Sequence, residues 1–146
     1  MLSRFRRGDQ GAELIEFTIV FPILMMILGG IMDFGMMLRN YEVVTNAARE
    51  GARVAILEGY AEPDVEARID EYLAAAGLDG DRDVALEPVP VTTSAGVFTA
   101  QAVTLTYTYQ FAMLSVFAPF FGGEFGTVSL EGISVMRSET QAAPAP

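Results

Sequence analysis

The chain has 146 residues, 51% of them hydrophobic, with a mean hydropathy of +0.35 and a net charge of −10. That length suits one domain plus an anchor, and such hydropathy is high for a soluble domain but natural for a small membrane-anchored one. Cysteine, histidine and lysine are absent, which excludes disulfides, Ser-His or Cys-His catalysis, His-ligated zinc and Schiff bases; the acidity disfavours nucleic acid, whose phosphates would repel it.

Residues 1–11 form a basic leader carrying Arg4, Arg6 and Arg7. Met1 to Gln10 shows no apolar periodicity and reads as disordered. Residues 12–58 read as one long helix, roughly 70 Å if unbroken. Its first half opens with the uncharged run Phe17 to Met32, 16 residues. That run covers about 24 Å, short of the roughly 30 Å hydrocarbon core, so the span extends over about 17–38 and puts Asp33 near the far interface. The leader arginines would keep the N-terminus in the cytoplasm and send the C-terminal domain across the membrane, although Arg39, Arg49 and Arg53 on the other side work against this.

Two readings of this N-terminus compete. A cleaved secretory signal suits the basic head and apolar body, but no small-x-small site follows the run. Instead the pattern continues into Arg39, Tyr41, Val44 and Ala48, as expected of a helix leaving the membrane. Glu16 stands at the threshold of the run, where a carboxylate needs either a partner or the solvated headgroup region. Pro22 removes the donor for the Thr18 carbonyl and should bend or loosen the helix, with the Thr18 hydroxyl able to help satisfy what is released. Gly29, Gly30 and Gly35 offer small surfaces without the small-xxx-small spacing. Met25, Met26, Met32, Met36 and Met37 read as lipid-facing or packing side chains, and no metal or other cofactor is expected.

Further along, Val44, Ala47, Ala48, Gly51, Ala52 and Ala55 recur at three- and four-residue spacing and make a narrow small-residue stripe. The chain's own C-terminal domain is the favoured cover for it; a second subunit is the alternative. Arg49, Glu50 and Arg53 lie off the stripe, with Glu50 and Arg53 spaced to pair at i, i+3. They form either an inter-subunit charge lock or a solvated face.

Residues 59–139 read as an α+β domain. Gly59 ends the long helix, and Ala61-Glu62-Pro63-Asp64 starts a short one with proline and acids in its first turn. Val65, Ile69, Leu73 and Ala76 line its inner face, and Gly77 closes it. Asp79, Asp81 and Asp83 resemble the start of a calcium loop, but Val84 and Pro90 occupy the positions that need Gly and Glu, leaving a solvated turn. Val84, Leu86, Val89 and Val91 make an edge strand interrupted by Pro88 and Pro90. Thr93 to Gly96 would turn the chain into a half-buried strand in which Val103, Leu105, Tyr107, Tyr109 and Phe111 alternate with polar residues. Met113 to Phe121 reads as an apolar loop, either an exposed patch or packed under the sheet. Thr127 to Arg137 forms the last strand, with Val128 and Leu130 on one face, Ile133 and Val135 on the other, and a bulge at Gly132. Residues 140–146 read as a disordered tail. The expected architecture is α+β: a long N-terminal transmembrane helix, a short helix and a small three-stranded antiparallel sheet on the stripe.

Two short motifs carry a resemblance. Gly11, with Glu16 five residues on and Phe17 next, resembles the Gly/xxxxGlu processing site of type IV pilin-like proteins. Asn46-Ala47-Ala48-Arg49-Glu50-Gly51-Ala52-Arg53 resembles the signature of the TadE-like pseudopilins of tight-adherence (Flp) pilus systems. The likeness covers roughly Gly8 to Leu57. It implies a pilin-like fold and a minor subunit in pilus assembly, cut between Gly11 and Ala12 by a prepilin peptidase, with membrane lipid, other pilin-like subunits and the assembly platform as partners. Removing residues 1–11 would take three positive charges and one negative from the total of −10, leaving −12. The resemblance also implies that Glu16 meets the new Ala12 amine, and that Asn46, Ala48, Arg49, Glu50, Gly51 and Arg53 serve subunit or domain packing. The alternative from another class is an unprocessed, single-pass binding module with an acidic extracytoplasmic domain.

Overall fold

The computed structural model describes residues 6–57, 59–93, 96–121 and 126–137. The elements are α1 (Arg6–Ala55), α2 (Glu62–Ala75), β1 (Arg82–Thr93), β2 (Gly96–Gln110), a 3-10 turn at Leu114–Phe117, α3 (Ala118–Phe121) and β3 (Thr127–Arg137). They form two compact units, Met1–Met36 with Phe111–Gly126, and Met37–Gln110 with Thr127–Pro146. This is the α+β arrangement expected, a long apolar helix followed by a short helix and a three-stranded antiparallel sheet.

In the second unit the strands lie in the order β1-β2-β3, all antiparallel. β1 is an edge, as its prolines require: Pro88 faces Gln101 and Pro90 faces Thr99, and neither can donate to a further strand. The alternation in β2 puts Val103, Leu105, Tyr107 and Tyr109 on the buried face. Val44, Ala47, Ala48 and Ala52 of α1 are completely buried, and so is Ile69 of α2. The small-residue stripe is therefore covered by the chain's own α2 and sheet. A Cβ placed on Gly51 would come within 2.7 Å of Ile69 Cδ1, so the absence of a side chain there lets α2 approach.

Short-range signals set the ends of α2. Asp64 Oδ2 accepts a hydrogen bond from Ala61 N–H at 2.8 Å. At the other end Gly77 takes φ +75°, Leu78 N–H reaches the Leu73 carbonyl at 2.9 Å and Gly77 N–H the Ala74 carbonyl at 3.0 Å. This pair of bonds is the Schellman closure, for which a glycine at the left-handed position is favoured. Val65, Ile69 and Leu73 are buried as expected, whereas Ala76 at the cap is half-buried.

Two expectations are corrected. Residues 6–10 continue α1 instead of lacking regular structure, because an established helix adds residues at its end more readily than it nucleates. Gly132 carries no bulge, since Leu105 faces Gly132 and Thr104 faces Ile133 in unbroken register. Leu130, Gly132 and Ser134 share the buried face, and a Cβ at Gly132 would lie 2.9 Å from the Val44 carbonyl oxygen and 3.0 Å from Thr45 Cα. Glycine is there because β3 touches the helix backbone. The Thr18 hydroxyl donates to the Leu14 carbonyl at 2.7 Å, and α1 is continuous through Pro22.

Met113 to Phe121, read as either an exposed patch or packed under the sheet, belongs to the first unit, where Met113 and Leu114 pack on α1 and Val116 is exposed. A Cβ on Gly29 would meet Met113 Cβ at 3.2 Å, and one on Gly30 would meet Leu114 Cδ2 at 3.7 Å. Phe34 lies against Phe111, which stands beyond the end of β2, with ring centroids 6.1 Å apart. Asp33 is fully buried, and its Oδ1 accepts from Ala112 N–H at 3.2 Å and Met113 N–H at 3.1 Å, its Oδ2 from Leu114 N–H at 2.7 Å. The turn expected at Thr93 to Gly96 falls partly, and the tail at 140–146 wholly, outside the described residues.

Candidate functional site

The functional residues named above lie on α1. Gly11 is exposed within the helix, and a Cβ added to it would meet nothing within 4 Å. Ala12, Glu16 and Phe17 are exposed as well. Ala12 and Glu16 stand one helical turn apart and so share a face. Phe17 packs on Phe21, one turn further along, with ring centroids at 5.3 Å. Most large apolar side chains of this part of the helix are uncovered: Leu14 is 67% exposed, Ile19 64% and Ile31 64%. Among the described residues, Gly11–Ala55 is the one helix long and apolar enough to cross a membrane.

The octapeptide 46–53 divides by helical period into two faces. Ala47, Ala48, Gly51 and Ala52 point inward and are buried. Asn46, Arg49 and Arg53 are exposed, and Glu50 stands between the two sets. Arg49 reaches toward Asn46 Oδ1 only at 3.5 Å, and the two residues border an open groove of about 220 Å³ with Tyr41, Glu42 and Thr45.

Glu50 does more than pair with its i+3 neighbour. Its Oε1 accepts from Arg53 Nη2 at 2.7 Å and from Arg68 Nη2 at 2.9 Å, and its Oε2 accepts from Arg53 Nε at 3.1 Å. Arg68 in turn reaches Glu71 at 2.6 Å. Hydrogen bonds from Arg53 first and Arg68 second hold the Glu50 carboxyl at about 2, well below its ordinary 4.5, against a smaller opposing effect of burial. Nearby, Arg39 Nη2 donates to the Ala76 carbonyl at 2.9 Å, covering one of the acceptors left at the C-terminus of α2. Arg82 makes a bidentate contact to Asp70.

Sequence reasoning missed Arg68 and the role of Asp33. The signal for Asp33 was available, since it is the one charge between Phe17 and Leu38 and an acid in such surroundings requires donors. No comparable signal marked Arg68, one of several charges on the outward side of α2.

A long apolar N-terminal helix whose C-terminal part lies beneath a small antiparallel sheet is consistent with an α+β pilin-like fold. Residues 11–53 match the family model described as TadE-like protein, so this part of the chain is similar to that family. Comparison with curated proteins and with solved structures produced no match.

Proposed function

We propose that this chain is a minor pilin-like subunit in assembly of a tight-adherence type IV pilus, held in the cytoplasmic membrane by α1 and cleaved after Gly11 by a prepilin peptidase. The observation that carries this reading is that the family match begins at Gly11 itself, with Glu16 at the fifth position beyond it. The open space around Gly11 supports it further, because a peptidase must reach the backbone there.

Cleavage would free the amine of Ala12, one turn from Glu16. The acid then has a cationic partner within the subunit or on a neighbour, which offsets the cost of placing it at the edge of the bilayer. The leader arginines stay cytoplasmic and the sheet domain faces outward. Asn46 and Arg49, exposed beside their groove, present polar groups to sister subunits or to the assembly platform.

Intact-mass measurement and N-terminal sequencing of the protein from piliated cells test the processing step. The expected mature chain begins at Ala12; retention of Met1 would overturn the step. Gly11→Val should block cleavage and raise the observed mass by that of the leader. An unchanged mass in that variant would favour the unprocessed binding module.

A further inference from the structure

The contact between Asp33 and residues 112–114 joins two features that are each costly alone in an apolar medium. A buried carboxylate needs donors, and a non-helical stretch of backbone needs acceptors for its N–H groups. Here three consecutive N–H groups, those of Ala112, Met113 and Leu114, are taken by one carboxylate.

We infer that the segment Phe111–Phe121 is a second membrane contact, a short wedge seated in the lipid toward the outer end of the span and tethered there by Asp33. This rests on the reading that α1 spans the bilayer over about 17–38. Met113 and Leu114 pack on Gly29 and Gly30, and Gly29 lies nine residues before Leu38, or about 14 Å along the helix. A span reaching Leu38 therefore carries the segment to bilayer depth. No charged residue occurs from Phe111 to Gly123, and Val116 is 65% exposed.

Lipid is the occupant that this surface fits. Ser115 is the one polar side chain between Phe111 and Phe121, and its hydroxyl donates to the Ala112 carbonyl of the same segment at 2.8 Å. A protein-binding surface keeps a polar rim for hydrogen bonds across the interface. This one carries no charged side chain, and the N–H groups of Ala112, Met113 and Leu114, which a hydrocarbon medium would penalise, are bonded to Asp33 within the unit.

Because the natural chain lacks cysteine, single cysteines place a probe cleanly. The full chain would be reconstituted in phosphatidylcholine and phosphatidylglycerol vesicles with an environment-sensitive fluorophore at Val116→Cys, at Leu24→Cys in the middle of the span, or at Val97→Cys on β2. Doxyl groups on the lipid chains should quench the first two, and aqueous iodide only the third. Adding Asp33→Ala to Val116→Cys should shift that emission to the red and restore iodide quenching. In Asp33→Ala with Leu24→Cys the probe should stay in lipid. A Val116 probe open to iodide while the Leu24 probe remains in lipid would overturn the inference and leave the span intact. Shielding from iodide without doxyl quenching would mean a protein occupant and overturn it equally. A Leu24 probe in water would overturn the span and the inference with it. An Asp33→Ala protein whose Val116 probe stays in lipid would refute the tether.

Discussion

Arg68 of α2 holds Glu50 of α1 across the helix pair, with 2.9 Å between Nη2 and Oε1, so one residue of the octapeptide links two elements separated by 18 positions. The same carboxylate is shared with Arg53. The arrangement makes Glu50 a fastener within the chain, while Asn46, Arg49 and Arg53 are the exposed members of the motif.

Glu50→Gln should therefore lower stability by about 1 kcal/mol, the scale of a partly exposed charge network with good geometry. The effect must depend on pH. A carboxyl held at about 2 in the folded chain and near 4.5 when unfolded contributes fully above 4.5, and that contribution is lost as pH falls toward 2. Thermal unfolding in detergent should thus separate the variant from the natural protein at pH 6, and the separation should close as the pH is lowered through that window. A gap that persists unchanged near pH 2 would show that Glu50 acts by packing.

Two glycines on the buried side differ in what a methyl group would strike. At Gly132 the obstacle is backbone of α1, which has no rotamer to yield, while at Gly51 it is the far end of Ile69. Gly132→Ala should cost about 1–3 kcal/mol by overpacking, and Gly51→Ala less. Chemical denaturation of both variants gives the comparison; equal losses would contradict the contact described at Gly132.

Ile69→Val, which removes the Cδ1 atom nearest to Gly51, offers a sharper check. Alone it should destabilise by about 0.5–1.5 kcal/mol. Combined with Gly51→Ala it should cost somewhat less than the sum of the two single changes, since the nearer of the two obstructing atoms is gone and only Cγ1, at 2.8 Å, has still to move. Strict additivity in this double-mutant cycle would mean that the two positions do not share that space.

For Glu16 the expected outcome is a separation of two readouts. Glu16→Ala should still yield protein in the membrane fraction, because removing an acid from the edge of an apolar span does not hinder insertion. Pilus formation, scored by electron microscopy of the surface, should fall. Normal piliation in this variant would remove any special role for the acid.

Much of this molecule was legible from its sequence because the relevant signals are local. The uncharged run after Phe17, the three- and four-residue spacing from Val44 to Ala55, the alternation from Val103 to Tyr109 and the glycine closing α2 each describe a periodicity or dihedral that neighbouring residues impose on one another. They sufficed for the long helix, α2 and the three strands, for the faces of α2 and β2 and for the family resemblance. What the tertiary structure alone decided was which distant groups meet: Asp33 with the backbone of residues 112–114, Glu50 with Arg68, and Gly132 with the backbone at Val44. These pairings join residues 18 to 88 positions apart, and nothing in the local pattern ranks one such partner above another. They exist because packing brings a donor within reach of an acceptor, or leaves no room for a side chain, only after the elements have come together.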